Sequence, residues 1–246
     1  MAKPSKDKQR RAVVEQMRRD QQRAEKRRTY AIITACAVVG LIIIGLGAYP
    51  LLKEQREQGR FDDIDLASIG ASADTAGCQD VTTAPASGSG AHRPEGQPLF
   101  YEDGPPSSGP HYPVTAPMVR KFYTADDRPK LGYLVHNLEH GYNILWFDET
   151  ISEDEEQLAA VEAIANKFPG SEPRNKFIAA PWTADDGAPF PDGAHVAMTH
   201  WSVGDTPGDA EGQLSIRQFC EAPSGEAVAT FVEDYPNTDS PEPNAI

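Results

Sequence analysis

Cysteine is scarce in this chain: there are three in 246 residues, none in the C-x-x-C spacing that a thiolate cluster or a dithiol redox motif requires. No G-x-S-x-G frame surrounds Ser107 or Ser108, which removes the usual setting of a serine nucleophile. The glycines cluster with Pro and Ser instead of preceding a helix, so no phosphate-cradling loop is present. Internal repeats are absent as well. Basic residues are nearly confined to one end. Residues 1–28 hold eleven Lys/Arg against four Asp/Glu, and all later residues hold twelve against thirty-three, a balance of −21. An excess of that sign repels anionic ligands, so nucleic acid is excluded as a partner of the larger portion. The basic end has no aromatic residue before Tyr30 on which a base would stack.

Charge is also missing from Tyr30–Leu52, twenty-three residues in a row. At ~1.5 Å per residue such a run crosses a hydrocarbon core of ~30 Å. A cleaved signal would have an apolar core of roughly 7–15 residues and a small-residue cleavage site. This run is longer, and Leu46-Gly47-Ala48 suits cleavage poorly, so the sequence predicts an uncleaved anchor inserted in the lipid bilayer. Arg18, Arg19, Arg23, Lys26, Arg27 and Arg28 crowd its leading end. The positive-inside rule then places the N-terminus in the cytoplasm and the acidic portion outside the plasma (inner) membrane. Cys36 falls within the span. Cys78 and Cys220 fall in the exported portion, where disulfides persist, and pairing them would close a long loop worth up to ~5 kcal/mol.

The predicted order is a basic cytoplasmic segment at 1–29, a transmembrane helix at 30–52 and a flexible tether at 53–95. One extracytoplasmic domain at 96–235 and a disordered tail at 236–246 complete it. The tether is rich in Ala, Ser, Thr and Gly, a composition that buries too little surface to fold alone. His92, within it, reads as solvent-exposed. Ser152-Glu153-Asp154-Glu155 reads as a capping box opening a helix with Leu158, Val161, Ile164, Ala165 and Phe168 on one face. Lys176–Trp182 and Ala194–Trp201 read as strands, Leu214–Phe219 as a short strand or helix, and Glu226–Tyr235 as an amphipathic helix. Strands and helices mix without regular alternation, so the fold class is α+β. Trp146, Trp182 and Trp201 read as core, His195 as surface and His200 as core.

The densest chemistry lies in Leu131–Phe147, LGYLVHNLEHGYNILWF. Its flanks look strand-like, which predicts a tight turn or one helical turn carrying His136, Glu139 and His140 between two buried strands. An i, i+4 histidine pair on a helical turn shares one face and suits Zn or Cu. His111 stands in a loop with four prolines in ten residues, Gly104–Pro113, a stiff support that forbids a helix. The predicted metal set is His111, His136, His140, Glu139 and Met118, the thioether favouring copper and the carboxylate zinc. Alternatively the histidines close the turn structurally and the domain binds a cell-envelope protein partner. His136–His140 also matches H-x-x-E-H, in which the glutamate would be the base of a zinc hydrolase. A single turn and the missing third ligand weigh against that reading. The chain is therefore expected to be non-catalytic.

The stretches P-P-S-S-G-P-H-Y-P at 105–113 and L-V-H-N-L-E-H-G-Y at 134–142, behind one membrane span, resemble a bacterial family of unknown function, number 3105, common in actinobacteria. The resemblance covers roughly residues 70–235. It implies a single-pass, membrane-anchored exported domain with no settled activity. Its motif residues are Pro105, Pro106, Ser108, Gly109, His111, Tyr112, His136, Asn137, Glu139, His140 and Gly141. Where relatives often carry Thr after the proline pair and an aromatic residue after A-P, this chain has Ser107 and Met118.

Overall fold

A computed structural model of the chain describes residues 6–59, 63–87, 90–101, 104–206 and 208–245. The chain forms two units, Met1–Gly59 and Arg60–Ile246. The first is one continuous helix, α1, over Lys6–Gly59, so the start of the expected tether is helical. Within α1, Val14–Tyr49 contains an 18-residue stretch of mean hydropathy 2.6, long and apolar enough to cross a membrane. Ile32, Leu41, Ile43, Ile44 and Leu46 are each more than half exposed. Side chains of that kind are stabilised by lipid tails and penalised by water.

The second unit is built on one mixed five-stranded sheet of order β1-β5-β4-β2-β3. Its strands are β1 Thr82–Pro85, β2 Asn143–Phe147, β3 Phe177–Pro181, β4 Val196–Ser202 and β5 Leu214–Cys220. β2 and β3 run parallel, with Asn143 opposite Phe177. The β2–β4, β4–β5 and β1–β5 pairs are antiparallel. The helices are α2 Leu131–Glu139, α3 Glu149–Glu153, α4 Glu155–Asn166 and α5 Gly225–Asp234. α3 and α4 lie in the crossover that parallel strands require.

Alternation along the strands splits the core between the two faces of the sheet. Leu145, Phe147, Phe177, Val196 and Ile216 meet Val161 and Ile164 of α4 and Val228 and Phe231 of α5. Ile144, Trp146, Ile178, Ala197 and Trp201 on the other face meet Leu134, Val135 and Leu138 of α2. Those three α2 side chains are fully buried, worth roughly 1.5–3 kcal/mol each.

Four local expectations are corrected. Leu131–Val135 is helix, not strand, because Leu131, Leu134, Val135 and Leu138 recur at i, i+3, i+4 and i+7, the stripe of a buried helical face. The cap before α4 is Asp154, whose carboxylate accepts from the amides of Glu156 and Gln157, while Asp148 caps α3 in the same way. The expected tether contributes β1, an exposed edge strand whose backbone pairs with β5. Around it, Leu66 packs on the core and Gly225 donates its N–H to Ile69. The expected disordered tail is folded onto the domain through 245. Ser202 donates to the Asp239 carboxylate at 2.9 Å, and the Lys176 ammonium to the carbonyls of Pro243 and Ala245 at 2.9 Å. Both corrections have one cause: these segments are held through backbone groups that composition does not reveal. Cys78 and Cys220 form a disulfide across 142 residues, which ties the β1 approach to the end of β5. Cys36 is free.

Candidate metal centre

α2 carries core on one side and chemistry on the other. It ends in a Schellman turn, with Gly141 donating to the Leu138 carbonyl at 3.0 Å and Tyr142 to that of Asn137 at 3.1 Å. Gly141 has φ +88°, a conformation glycine adopts without penalty. The chain turns there directly into β2, so His136, Glu139 and His140 occupy the last turn of a helix packed on the sheet. Asn137, fully buried, faces the other way. Its amide accepts from the Ala116 N–H at 2.9 Å and donates to the Ala116 carbonyl at 3.1 Å, clamping the chain beyond the proline loop onto α2.

The proline loop is pinned along its length. Tyr101 donates to the Pro110 carbonyl at 2.7 Å, Ser108 bonds the Ser215 hydroxyl of β5 at 2.6 Å, and Tyr112 N–H bonds Gly132 of α2 at 3.1 Å. His111 is thereby fully buried against Trp201, with ring centroids 5.8 Å apart. Its carbonyl accepts from the Arg93 N–H at 2.7 Å, which lays His92 beside it. The rings of His92, His111 and His136 lie 4.8–4.9 Å from one another.

Donor atoms of His92, His111, His136 and Glu139 all fall within 4.8 Å of one another. Four tetrahedral ligands at the usual ~2.0–2.1 Å from one zinc stand ~3.3–3.4 Å apart, so the widest pair must close by up to ~1.5 Å to place all four on one ion. His111 Nδ1 lies 2.9 Å from the Gly109 carbonyl. A carbonyl only accepts, so Nδ1 carries the proton and Nε2 is left facing Glu139 Oε2 at 2.9 Å. The two atoms face each other as a buried ion pair of poor hydrogen-bond alignment, and among the described residues neither has another hydrogen-bond partner. A buried lone pair against a carboxylate oxygen calls for a cation between them, a proton or a metal. A histidine that donates its second nitrogen to a backbone carbonyl is the usual posture of a metal ligand.

Electrostatics sort the histidines. Burial works against protonation of His111, but the adjacent Glu139 carboxylate outweighs it and raises the pKa above the ordinary value. Burial likewise opposes charge on Glu139, and His111 overcomes it, holding the carboxyl below the usual range. Burial and the neighbouring His111 lower His136. Burial and His136 push His140 down to about 4, so that ring is neutral and free to ligate at neutral pH. Glu139 Oε2 is 3.9 Å from His136 Nε2.

Of the predicted set, His111, His136 and Glu139 converge. His140 falls into a second, overlapping group with Glu139 and Glu242. Met118 packs half-buried against the apolar cluster beside α2. His92 is exposed, as expected, yet belongs to the centre. Its sequence signal was only that it lies nineteen residues before His111 in a stretch of low complexity. Glu242 was hidden in the polar tail. His195 is half-exposed and bonds Asp148 at 2.8 Å, while His200 and the three tryptophans are buried. The nine-residue length of α2 and the approach of His111 remove both objections to H-x-x-E-H, but Glu139 Oε2 stands among the rings, within 4 Å of His111 and His136.

A family model described as Protein of unknown function (DUF3105) matches residues 92–246. No curated protein and no solved structure matches.

Proposed function

We propose that this chain, which belongs to the family of unknown function DUF3105, is a membrane-anchored binding domain that holds a transition-metal ion, zinc or copper, without using it for hydrolysis. The observation that carries this reading is the His111–Glu139 pair: two buried donor atoms 2.9 Å apart, poorly aligned for a hydrogen bond, with the ring fixed from behind by Gly109. Three imidazoles and one carboxylate suit zinc or copper(II). A hydrolase of the H-x-x-E-H type would keep its glutamate off the metal as a base, whereas Glu139 Oε2 sits within 4 Å of two ligand nitrogens. Outside placement of the domain, N-terminus in the cytoplasm, is supported by the basic flank of the apolar helix and by the disulfide.

Metal content tests the reading. The full-length protein, purified in detergent and dialysed against copper and zinc, is expected to retain at least one equivalent per chain. His111→Gln should lose it while circular dichroism stays unchanged. A folded wild type that retains no metal overturns the proposal.

A further inference from the structure

We infer that the centre is dinuclear: a second divalent ion binds between His140 and the Glu242 carboxylate, and Glu139 bridges it to the ion held by His92, His111 and His136. This rests on the metal-binding reading above. Glu139 belongs to both donor groups, each with its atoms within 4.8 Å. A carboxylate offers two oxygens and about four lone-pair directions, and bridged ions stand ~3.5–4 Å apart. The rings of His136 and His140 are 4.4 Å apart, edge to face, so the two donor groups adjoin. Among the described residues the Glu139 Oε2 atom, shared by both groups, is buried without a hydrogen-bond partner, a rare state for a buried carboxylate oxygen.

The C-terminal strap supplies a second, independent observation. Glu242 is half-exposed, and nothing in its composition would hold it over α2. Yet it is fixed on both sides. Asp239 is bound by Ser202 and, through its carbonyl, by His200. The Glu242 N–H donates to the Glu139 carbonyl at 3.0 Å. Beyond it, Lys176 donates to Pro243 and Ala245 at 2.9 Å and to the His140 carbonyl at 2.7 Å. The result is a carboxylate 3.5 Å from His140 Nε2. The Lys176 ammonium is the nearby charge that opposes a second cation. It makes the outer ion the weaker one, so the nitrogen-rich inner position fills first.

Stepwise zinc titration of the full-length protein in detergent against a competing chelator, with elemental analysis at saturation, decides the matter. Wild type is expected to take two zinc ions in separate steps. Glu242→Gln, a half-exposed change checked by circular dichroism, should weaken the second step about 10-fold or more and leave the first nearly unchanged. One zinc in both proteins would overturn the outer site and leave the mononuclear reading standing. Two zinc ions in both, with equal affinities, would place the second ion elsewhere and equally overturn it. No zinc in folded wild type removes both readings together.

Discussion

Asn137→Ala is the substitution that most directly tests how the centre is assembled. The side chain is fully buried and completes a two-way pair with the backbone of Ala116, itself 2% exposed. Truncation leaves a buried N–H and a buried carbonyl without partners, each worth about 1–3 kcal/mol. The surroundings are mostly apolar, with Leu134 on one side and the rings of Tyr123 and Tyr142 beside it, and only a tyrosine hydroxyl stands near enough to offset part of the loss. The expected loss is therefore about 4 kcal/mol, a large share of a stability of ~5–15 kcal/mol. For a domain of this size that is a fall in Tm of about 8–16 °C. Urea unfolding followed by tryptophan fluorescence reads it directly, since Trp146 and Trp201 lie in the same cluster. The clamp also sets the spacing between the His111 loop and α2, so zinc affinity should fall with stability. A loss below about 1 kcal/mol at unchanged m would show that Ala116 finds water or another partner, and the clamp would lose its assigned role.

Reduction of Cys78–Cys220 releases a link across 142 residues and should cost up to ~5 kcal/mol, read as the urea midpoint with and without reductant; an unmoved midpoint refutes it. Burial pushes Lys121 down to about 8 from an ordinary 10.5. Between those pH values the unfolded chain binds the proton and the folded one has released it, so stability rises with pH in that window. Relative to Lys121→Met, wild type should gain stability from pH 8 to 10.5, and parallel stability–pH curves would contradict the assignment. Gly141→Ala forces a left-handed alanine and sets a Cβ 2.3 Å from the Asn237 carbonyl. The strain of ~1–2 kcal/mol should free the strap, seen as earlier proteolysis after residue 236, and equal cleavage of both proteins would refute it. Chelation should leave the domain folded and lower its stability only by the linkage term, ~2.7 kcal/mol at a hundredfold excess of metal over Kd. Unfolding on chelation would show instead that metal builds the fold.

What was legible in the sequence followed from side-chain pattern. The α4 stripe of Val161, Ile164 and Ala165, continued by Phe168 just beyond it, the strands β3 and β4 and α5 all bury apolar side chains, while Leu214–Phe219 reads equally as strand or helix from its pattern. His111, His136 and Glu139 were visible because they sit in motifs too dense to ignore. Leu131–Val135 was misread because a short apolar run with β-branched and aromatic members suits either element; its i, i+3, i+4, i+7 spacing held the answer. β1 has no buried face at all and exists through the hydrogen bonds that β5 offers it. The strap is similar, since Asp239, Pro243 and Ala245 are held through carbonyl or carboxylate oxygens by His200, Ser202 and Lys176. Backbone-held segments carry almost no hydrophobic signal, and His92 and Glu242 belong to two of them.

That division bears on how the centre would work. The six side chains proposed as ligands, Glu242 among them, come from the stretch after β1, the proline loop, the end of α2 and the strap. Each segment is fixed by bonds that do not involve a metal: Arg93 to His111, Tyr112 to Gly132, Asn137 to Ala116, Glu242 to Glu139. Conformational entropy is therefore lost on folding and not on metal uptake, the opposite of a zinc finger, whose fold forms only with its ion. Preorganisation of this sort raises affinity without new contacts. It also fixes four donors at positions set by the scaffold, so an ion that prefers a different geometry must strain the backbone to bind. If the centre binds metal as proposed, its selectivity for one ion over another is set by the Gly109, Asn137 and Lys176 contacts as much as by the ligands themselves.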